Sequence, residues 1–172
     1  MRYFLLLKVL CHNICVVINE MFQLGVGPNF LGSEEGSVMV DIFTKKKRSQ
    51  IMTMIKSKNT VPERLMAKSL KQLKIGKFRR GDRIFGRPDF IFPESKVAIF
   101  VDGRFWHGYG YSKSKQKLTP FWRSKIGDNI KRDKVVNNRL KREGWKVLRF
   151  WDYEVKGSPE ICLREIEKAV EA

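Results

Sequence analysis

Two short apolar runs, Asp89 to Phe92 and Val97 to Asp102, are separated only by Pro93-Glu94-Ser95-Lys96. Runs of this length around a turn are too short for helices and read as a β-hairpin. A third apolar run, Lys146 to Trp151, reads as a further buried strand. The segments between have helical spacing instead. Lys45 to Lys56 places Ile51, Met54 and Ile55 three and four apart, and Phe121 to Arg142 places Trp122, Ile126 and Ile130 at steps of four. Thr60-Val61-Pro62-Glu63 predicts a helix start: Thr caps, Pro costs little in the first turn, and Glu reaches back to close a capping box. Leu65, Leu70 and Leu73 are then its expected buried side, and Pro159 to Val170 is a closing helix. Helices flanking a short mixed sheet make an α/β or α+β domain.

The chain has 172 residues, 42% of them hydrophobic, enough for one domain with a real core. It carries 35 Lys and Arg against 18 Asp and Glu, a net charge of +17. Residues 1–40 hold Arg2 and Lys8 against Glu20, Glu34 and Glu35, a net of −1, so the rest carries +18. A charge of that size on one small domain exceeds what a solvated face needs and points to a polyanion. Cys11, Cys15 and Cys162 form no framework spacing, which argues against a disulfide-stapled secreted fold and for a reducing, cytoplasmic setting.

The apolar opening from Met1 to Ile18 is broken by Lys8, His12 and Asn13 and is too short for a membrane span. It also lacks a signal-peptide cleavage pattern. The Gly-rich stretch Leu24 to Gly36 reads as a linker. Residues 1–38 are therefore expected to be an extension that does not conform to the domain 39–172, with Met39 as the initiator and Glu34-Glu35-Gly36 encoded by purine-rich, ribosome-binding-like codons. The other reading is an apolar helix that packs on the domain or anchors it weakly.

The hairpin carries the chemistry. With its turn at Glu94 and Ser95, Phe92 faces Val97 and Asp89 faces Phe100, so Asp89 shares a face with Asp102. Two converging carboxylates call for a cation, and Mg²⁺ takes one or two carboxylates while keeping waters for phosphate substrates. His107, just past the strand, is a candidate base for deprotonating a water. The plainer alternatives are an Asp89 that bonds its own turn after Pro88 and a His107 with a structural or surface role.

Four motifs in order, Gly86-Arg87-Pro88-Asp89-Phe90, Val101-Asp102-Gly103-Arg104-Phe105-Trp106-His107, Phe121-Trp122 with Lys125 to Asp133, and Gly144-Trp145-Lys146-Val147-Leu148, closely resemble the very short patch repair (Vsr) endonucleases. The resemblance runs from about Asp41 to Trp151 and takes in Lys47 to Met52 and Asn59 to Glu63. It implies a restriction-endonuclease-like α/β core with a short mixed central sheet. It also implies Mg²⁺-dependent nicking of double-stranded DNA 5′ of the T in T·G mispairs left by deaminated 5-methylcytosine. Carried over by position, Asp89 and the backbone carbonyl of Val101 are metal ligands, His107 is the general base and Glu63 its carboxylate partner. Asp102 stands where the family has His, as a further acidic metal ligand, and Asp133 matches the carboxylate that pairs with that His. Two acids there repel unless a metal or proton intervenes.

The resemblance further implies that Phe105, Trp106 and Trp122 wedge beside the mismatch, where unstacking costs least. Lys45, Lys46, Lys47 and Arg48, together with Arg87, Arg123, Lys125, Asn129, Lys131 and Arg132, are the expected DNA contacts, mostly to phosphates. Trp145 and Trp151 read as core. Zinc-bearing members have Cys and His where Arg104, Tyr109, Tyr111 and Tyr153 stand here, so a structural zinc is expected to be absent. A MutL-type mismatch-repair protein and a DNA cytosine methyltransferase are the implied partners. Two other classes compete: a related nuclease of different specificity, and a DNA-binding module without catalysis.

Overall fold

The computed structural model describes Lys46, Ser49, Thr53 and residues 58–172. The expected extension 1–38 and most of the expected helix 45–56 lie outside them, although Lys46, Ser49 and Thr53 are each helical. The chain divides into a main unit, residues 58–109 and 126–172, and a smaller one that includes 110–125.

The main unit is α/β. Helix α1 (Val61–Gln72) precedes β1 (Phe90–Phe92) and β2 (Val97–Asp102). A four-residue helix α2 (Tyr111–Ser114) and a 3-10 turn (Lys115–Lys117) lead to α3 (Pro120–Arg142), followed by β3 (Lys146–Trp151), α4 (Asp152–Gly157) and α5 (Pro159–Glu171). The three strands form one mixed sheet in the order β1-β2-β3. β1 and β2 pair antiparallel with Phe92 opposite Val97, the register expected, and β2 pairs parallel with β3, Phe100 opposite Arg149 and Asp102 opposite Trp151. Asp89 falls just before β1.

Alternation along these strands makes two apolar layers. Phe90, Phe92, Val97, Ile99 and Phe150 pack with Met66 and Leu70 of α1, Val155 of α4, and Cys162 and Ile166 of α5. On the other face Ile91, Ala98 and Phe100 pack with Val136 and Leu140 of α3, and Trp145 and Val147 close against them. Helix α3 ends in a Schellman turn: Gly144 has φ 83°, the Trp145 N–H donates to the Leu140 carbonyl at 2.9 Å, and the Gly144 N–H to that of Lys141 at 3.1 Å. That turn aims β3 alongside β2, where the Lys146 N–H donates to the Lys96 carbonyl at 2.8 Å.

Several expectations need correction. The buried stripe of α1 is Glu63, Met66 and Leu70; Leu65 is exposed, and Leu73 lies at the helix cap. Only Phe150 of β3 is fully buried, although the whole strand was expected to be. Trp145 and Trp151 are half-buried rather than core, and α4 begins directly where β3 ends.

Candidate active site

Four segments converge on one cluster of ionisable groups. Asp89 is aimed by its own strand end: its Oδ2 accepts the Val101 N–H at 2.8 Å, and its Oδ1 takes no hydrogen bond from a described residue. Burial pushes this carboxyl up to about 6, and the charges of Glu63 and Asp102 add to the rise, against the Val101 N–H and Arg80. A carboxyl so placed gains from any cation that reaches it.

Asp102, at the end of β2, is 5% exposed and already neutralised by a forked guanidinium. Arg149 donates from Nε to Asp102 Oδ2 at 2.6 Å and from Nη2 to Oδ1 at 3.0 Å. The same Nη2 lies 3.1 Å from Asp133 Oδ1, Nη1 donates to Asn137 Oδ1 at 3.0 Å, and the guanidinium sits 4.5 Å over the Phe100 ring. The cation that stands between Asp102 and Asp133 is therefore Arg149. Asp102, expected as a metal ligand, thus has both its oxygens engaged by Arg149. Removing one partner of such a buried pair strands charge at a cost of about 3–5 kcal/mol.

His107 is held by the turn after β2, its N–H donating to the Gly103 carbonyl at 3.1 Å. Its Nδ1 lies 2.6 Å from Asp133 Oδ2 and 3.5 Å from Asp102 Oδ1. Burial raises Asp133, but the His107 hydrogen bond and the charges of His107, Arg149 and Arg132 outweigh it and hold the carboxyl below its usual range. An ionised Asp133 only accepts, so Nδ1 donates, and in the neutral imidazole Nε2 keeps the lone pair. A base oriented by a carboxylate is the arrangement that deprotonates water.

Glu63 does not partner His107. Its Oε1 accepts the Thr60 hydroxyl at 2.8 Å and the Thr60 N–H at 3.3 Å; its Oε2 accepts the Asn59 N–H at 2.8 Å and Arg80 Nη1 at 2.9 Å. The capping box predicted at Thr60 thus claims this carboxylate, and Asp133 takes the place beside His107.

The expected DNA contacts divide. Phe105 and Trp106 are half-buried and meet edge-on at 4.9 Å; in the smaller unit the exposed Phe121 and the half-buried Trp122 also meet edge-on at 4.9 Å. Arg87, Lys125, Lys131 and Arg132 are exposed, as is Lys46; Lys45, Lys47 and Arg48 lie outside the described residues. Asn129 is a correction: it is buried, and its Nδ2 donates to the Trp106 carbonyl at 2.9 Å, so it braces the His107 turn. Arg123 is turned onto its own unit, donating to the carbonyls of Lys115 and Leu118 at 3.2 and 3.1 Å.

Of the four residues expected to stand in place of zinc ligands, three make a cation and aromatic cluster. Arg104 lies 4.9 Å over the Tyr153 ring and 3.6 Å from Asp152, and Tyr109 meets Trp151 and Tyr153 edge-on at 5.3 and 5.4 Å. Hydrogen bonding to Tyr109 helps push the Tyr153 hydroxyl up to about 12, so it stays neutral. Tyr111, in the smaller unit, donates to the Arg123 carbonyl at 2.9 Å.

Sequence reading missed Arg149, Arg80 and Asn137. A signal existed for Arg149: a lone arginine within Val147-Leu148-Arg149-Phe150-Trp151 must be paired if the strand is packed.

A family profile described as DNA mismatch endonuclease Vsr matches residues 40–113. The chain is 42% identical over 134 residues to the type II nicking enzyme V.NmeDIP of Neisseria meningitidis serogroup C, covering 76% of this chain and 90% of that protein. It is 43% identical over 136 residues to the type II nicking enzyme V.HpaIIP of Haemophilus parainfluenzae, covering 76% and 96%. It is 33% identical over 136 residues to the DNA mismatch endonuclease Vsr of Escherichia coli (strain K12), covering 77% and 86%.

Proposed function

The chain belongs to the Vsr family and is a DNA endonuclease, and from that premise we propose that it nicks double-stranded DNA 5′ of the T in T·G mispairs arising from 5-methylcytosine, on a restriction-endonuclease-like core. The observation that carries this reading is the 2.6 Å contact between His107 Nδ1 and Asp133, which turns the basic nitrogen of the imidazole outward. Nε2 takes a proton from the attacking water, Asp133 stabilises the imidazolium that results, and Arg149 keeps Asp133 ionised and in place. Glu63 acts through the cap of α1 and through Arg80, and Asp102 acts by anchoring Arg149.

Among the described residues no three His, Cys, Asp or Glu side chains cluster as metal ligands. The donors fit Mg²⁺ nonetheless, because Mg²⁺ is content with one carboxylate when waters and substrate phosphate complete its shell. Asp89, with its open Oδ1 and the neighbouring charges that raise it, would hold the ion together with the Val101 carbonyl. Bound there, Mg²⁺ would polarise the scissile phosphate and stabilise the leaving 3′ oxygen. Phe105, Trp106 and Trp122 wedge the mispair, and Arg87, Lys125, Lys131 and Arg132 contact phosphates. The setting is cytoplasmic, with a MutL-type protein and a cytosine methyltransferase as functional partners. No helix among the described residues is long and apolar enough to cross a membrane.

The test is nicking of matched and T·G duplexes in methylcytosine context, with Mg²⁺ or chelator, by the full chain and by His107→Ala and Asp133→Asn. Mg²⁺-dependent nicking of T·G alone, reduced about 10²–10⁴-fold in either variant, is expected. Equal nicking of both duplexes would replace mismatch repair with a nuclease of other specificity, and binding without nicking would remove the catalytic reading.

A further inference from the structure

The segment from Lys77 to Pro88 is a dense positive stretch of the main unit, of which only Arg80 and Arg87 have been given a role above. It holds Lys77, Arg79, Arg80, Arg83 and Arg87 against one acid, Asp82. Asp82 is already taken, its carboxylate 2.6 Å from Lys58 Nζ and held below its ordinary range by that bond. Among the described residues Arg79, Arg83 and Arg87 have no carboxylate partner.

The segment is not a loose tail. Arg79 and Ile91 exchange both backbone hydrogen bonds, at 3.0 and 2.8 Å, so the stretch closes onto β1. The Gly81 N–H donates to the Pro88 carbonyl at 3.1 Å, the Ile84 N–H to Gly81 at 2.9 Å, and the Arg87 N–H to Ile84 at 2.9 Å. Gly81 is buried so tightly that a Cβ would stand 2.6 Å from the Pro88 carbonyl oxygen. Gly86, at φ 77°, lies directly on Val136, and Arg139 stacks 3.9 Å over Phe85, so the segment is also fastened to α3. Fixing like charges on a frame that cannot spread them is costly unless an anion offsets the repulsion, and a fixed frame loses little entropy when the anion arrives.

A cavity of about 330 Å³ opens here, walled by Arg79, Arg80, Asp82 and Arg83 over Ile84 and Ile91. Arg80 joins it to the catalytic cluster: its guanidinium bonds Glu63 at 2.9 Å, and its charge acts on Asp89. We propose that this cavity seats a backbone phosphate of the cleaved duplex beside the scissile one, with Arg79 and Arg83 as its contacts and Arg80 as the link that sets the spacing to Asp89. The proposal deepens the reading of the chain as a DNA endonuclease and rests on it.

The test compares the full chain with Arg79→Ala/Arg83→Ala and with Arg164→Ala/Lys168→Ala, which removes the same charge from exposed positions of α5. Duplex binding is followed by fluorescence anisotropy across a KCl series, with matched and T·G DNA, after thermal unfolding shows all three folded alike. The loop variant is expected to lower the slope of log affinity on log salt by about 1–2 and to weaken both duplexes equally, since phosphate contacts position without specifying. The α5 variant keeps the wild-type slope. A loop variant indistinguishable from the α5 variant overturns the phosphate seat while leaving the endonuclease reading intact; a wild-type chain with no salt-dependent duplex binding overturns both.

Discussion

Asp89 shows how one residue sets stability against chemistry. Its carboxyl titrates near 6 in the fold against an ordinary 3.8, chiefly from burial. Below about 3.8 it is protonated in both states and costs nothing. As pH rises from there to about 6 the unfolded chain releases the proton first, so stability falls, by about 2–3 kcal/mol once the group is ionised in both. Without metal, Asp89→Asn keeps an oxygen for the Val101 N–H but carries no charge. It is expected to be more stable than wild type by about that amount at pH 8 and equal to it near pH 3.5, measured by urea unfolding in chelator. Equal stability at pH 8 would mean that the carboxylate is already compensated. Asp89 and His107 were legible because each sits in a short motif. Arg149 was not, because its meaning depends on Asp102 and Asp133, which only the parallel register of β3 on β2 and the packing of α3 bring to it.

At the scale of elements, α1 binds two functions into one helix end. The capping box was readable from Thr60-Val61-Pro62-Glu63 because it is local and its geometry follows from spacing. The buried stripe was less readable: Glu63, Met66 and Leu70 share one side, and a charged residue on the core side defeats a reading based on leucines. A capping role for Glu63 and a direct part in the reaction separate experimentally. Thr60→Ala removes a bond to Glu63 and is expected to cost about 1 kcal/mol of stability with nicking at saturating DNA unchanged. A loss of nicking as large as that of Asp133→Asn would instead give Glu63 a direct part in the reaction. The short strand β1 was readable from its place in the hairpin, whereas the immediate passage from β3 into α4 lies below what periodicity resolves.

Across the whole molecule, charge and packing answer different needs. The net charge of +17 says what the chain meets, while the apolar layers on the two faces of the sheet say what holds it together. The Arg104, Tyr109, Trp151, Asp152 and Tyr153 cluster ties the turn after β2 to the start of α4 by cation–π and edge-on ring contacts, each worth about 0.5–1.5 kcal/mol. The thermal midpoint is therefore expected to be indifferent to a strong zinc chelator and to fall by several degrees in Arg104→Ala, which weakens the pairing of the buried Asp152. A chelator-induced fall would show that a metal holds this region after all. The order of the strands has a last consequence, for a chain as it leaves the ribosome. Asp89, Asp102, His107 and Asp133 all emerge before Arg149, and β2 gains its parallel neighbour only when the final strand has been made. A partly synthesised or C-terminally truncated chain carries the whole set of acids and the histidine without the guanidinium that pairs Asp102 with Asp133, so an unfinished copy is unarmed.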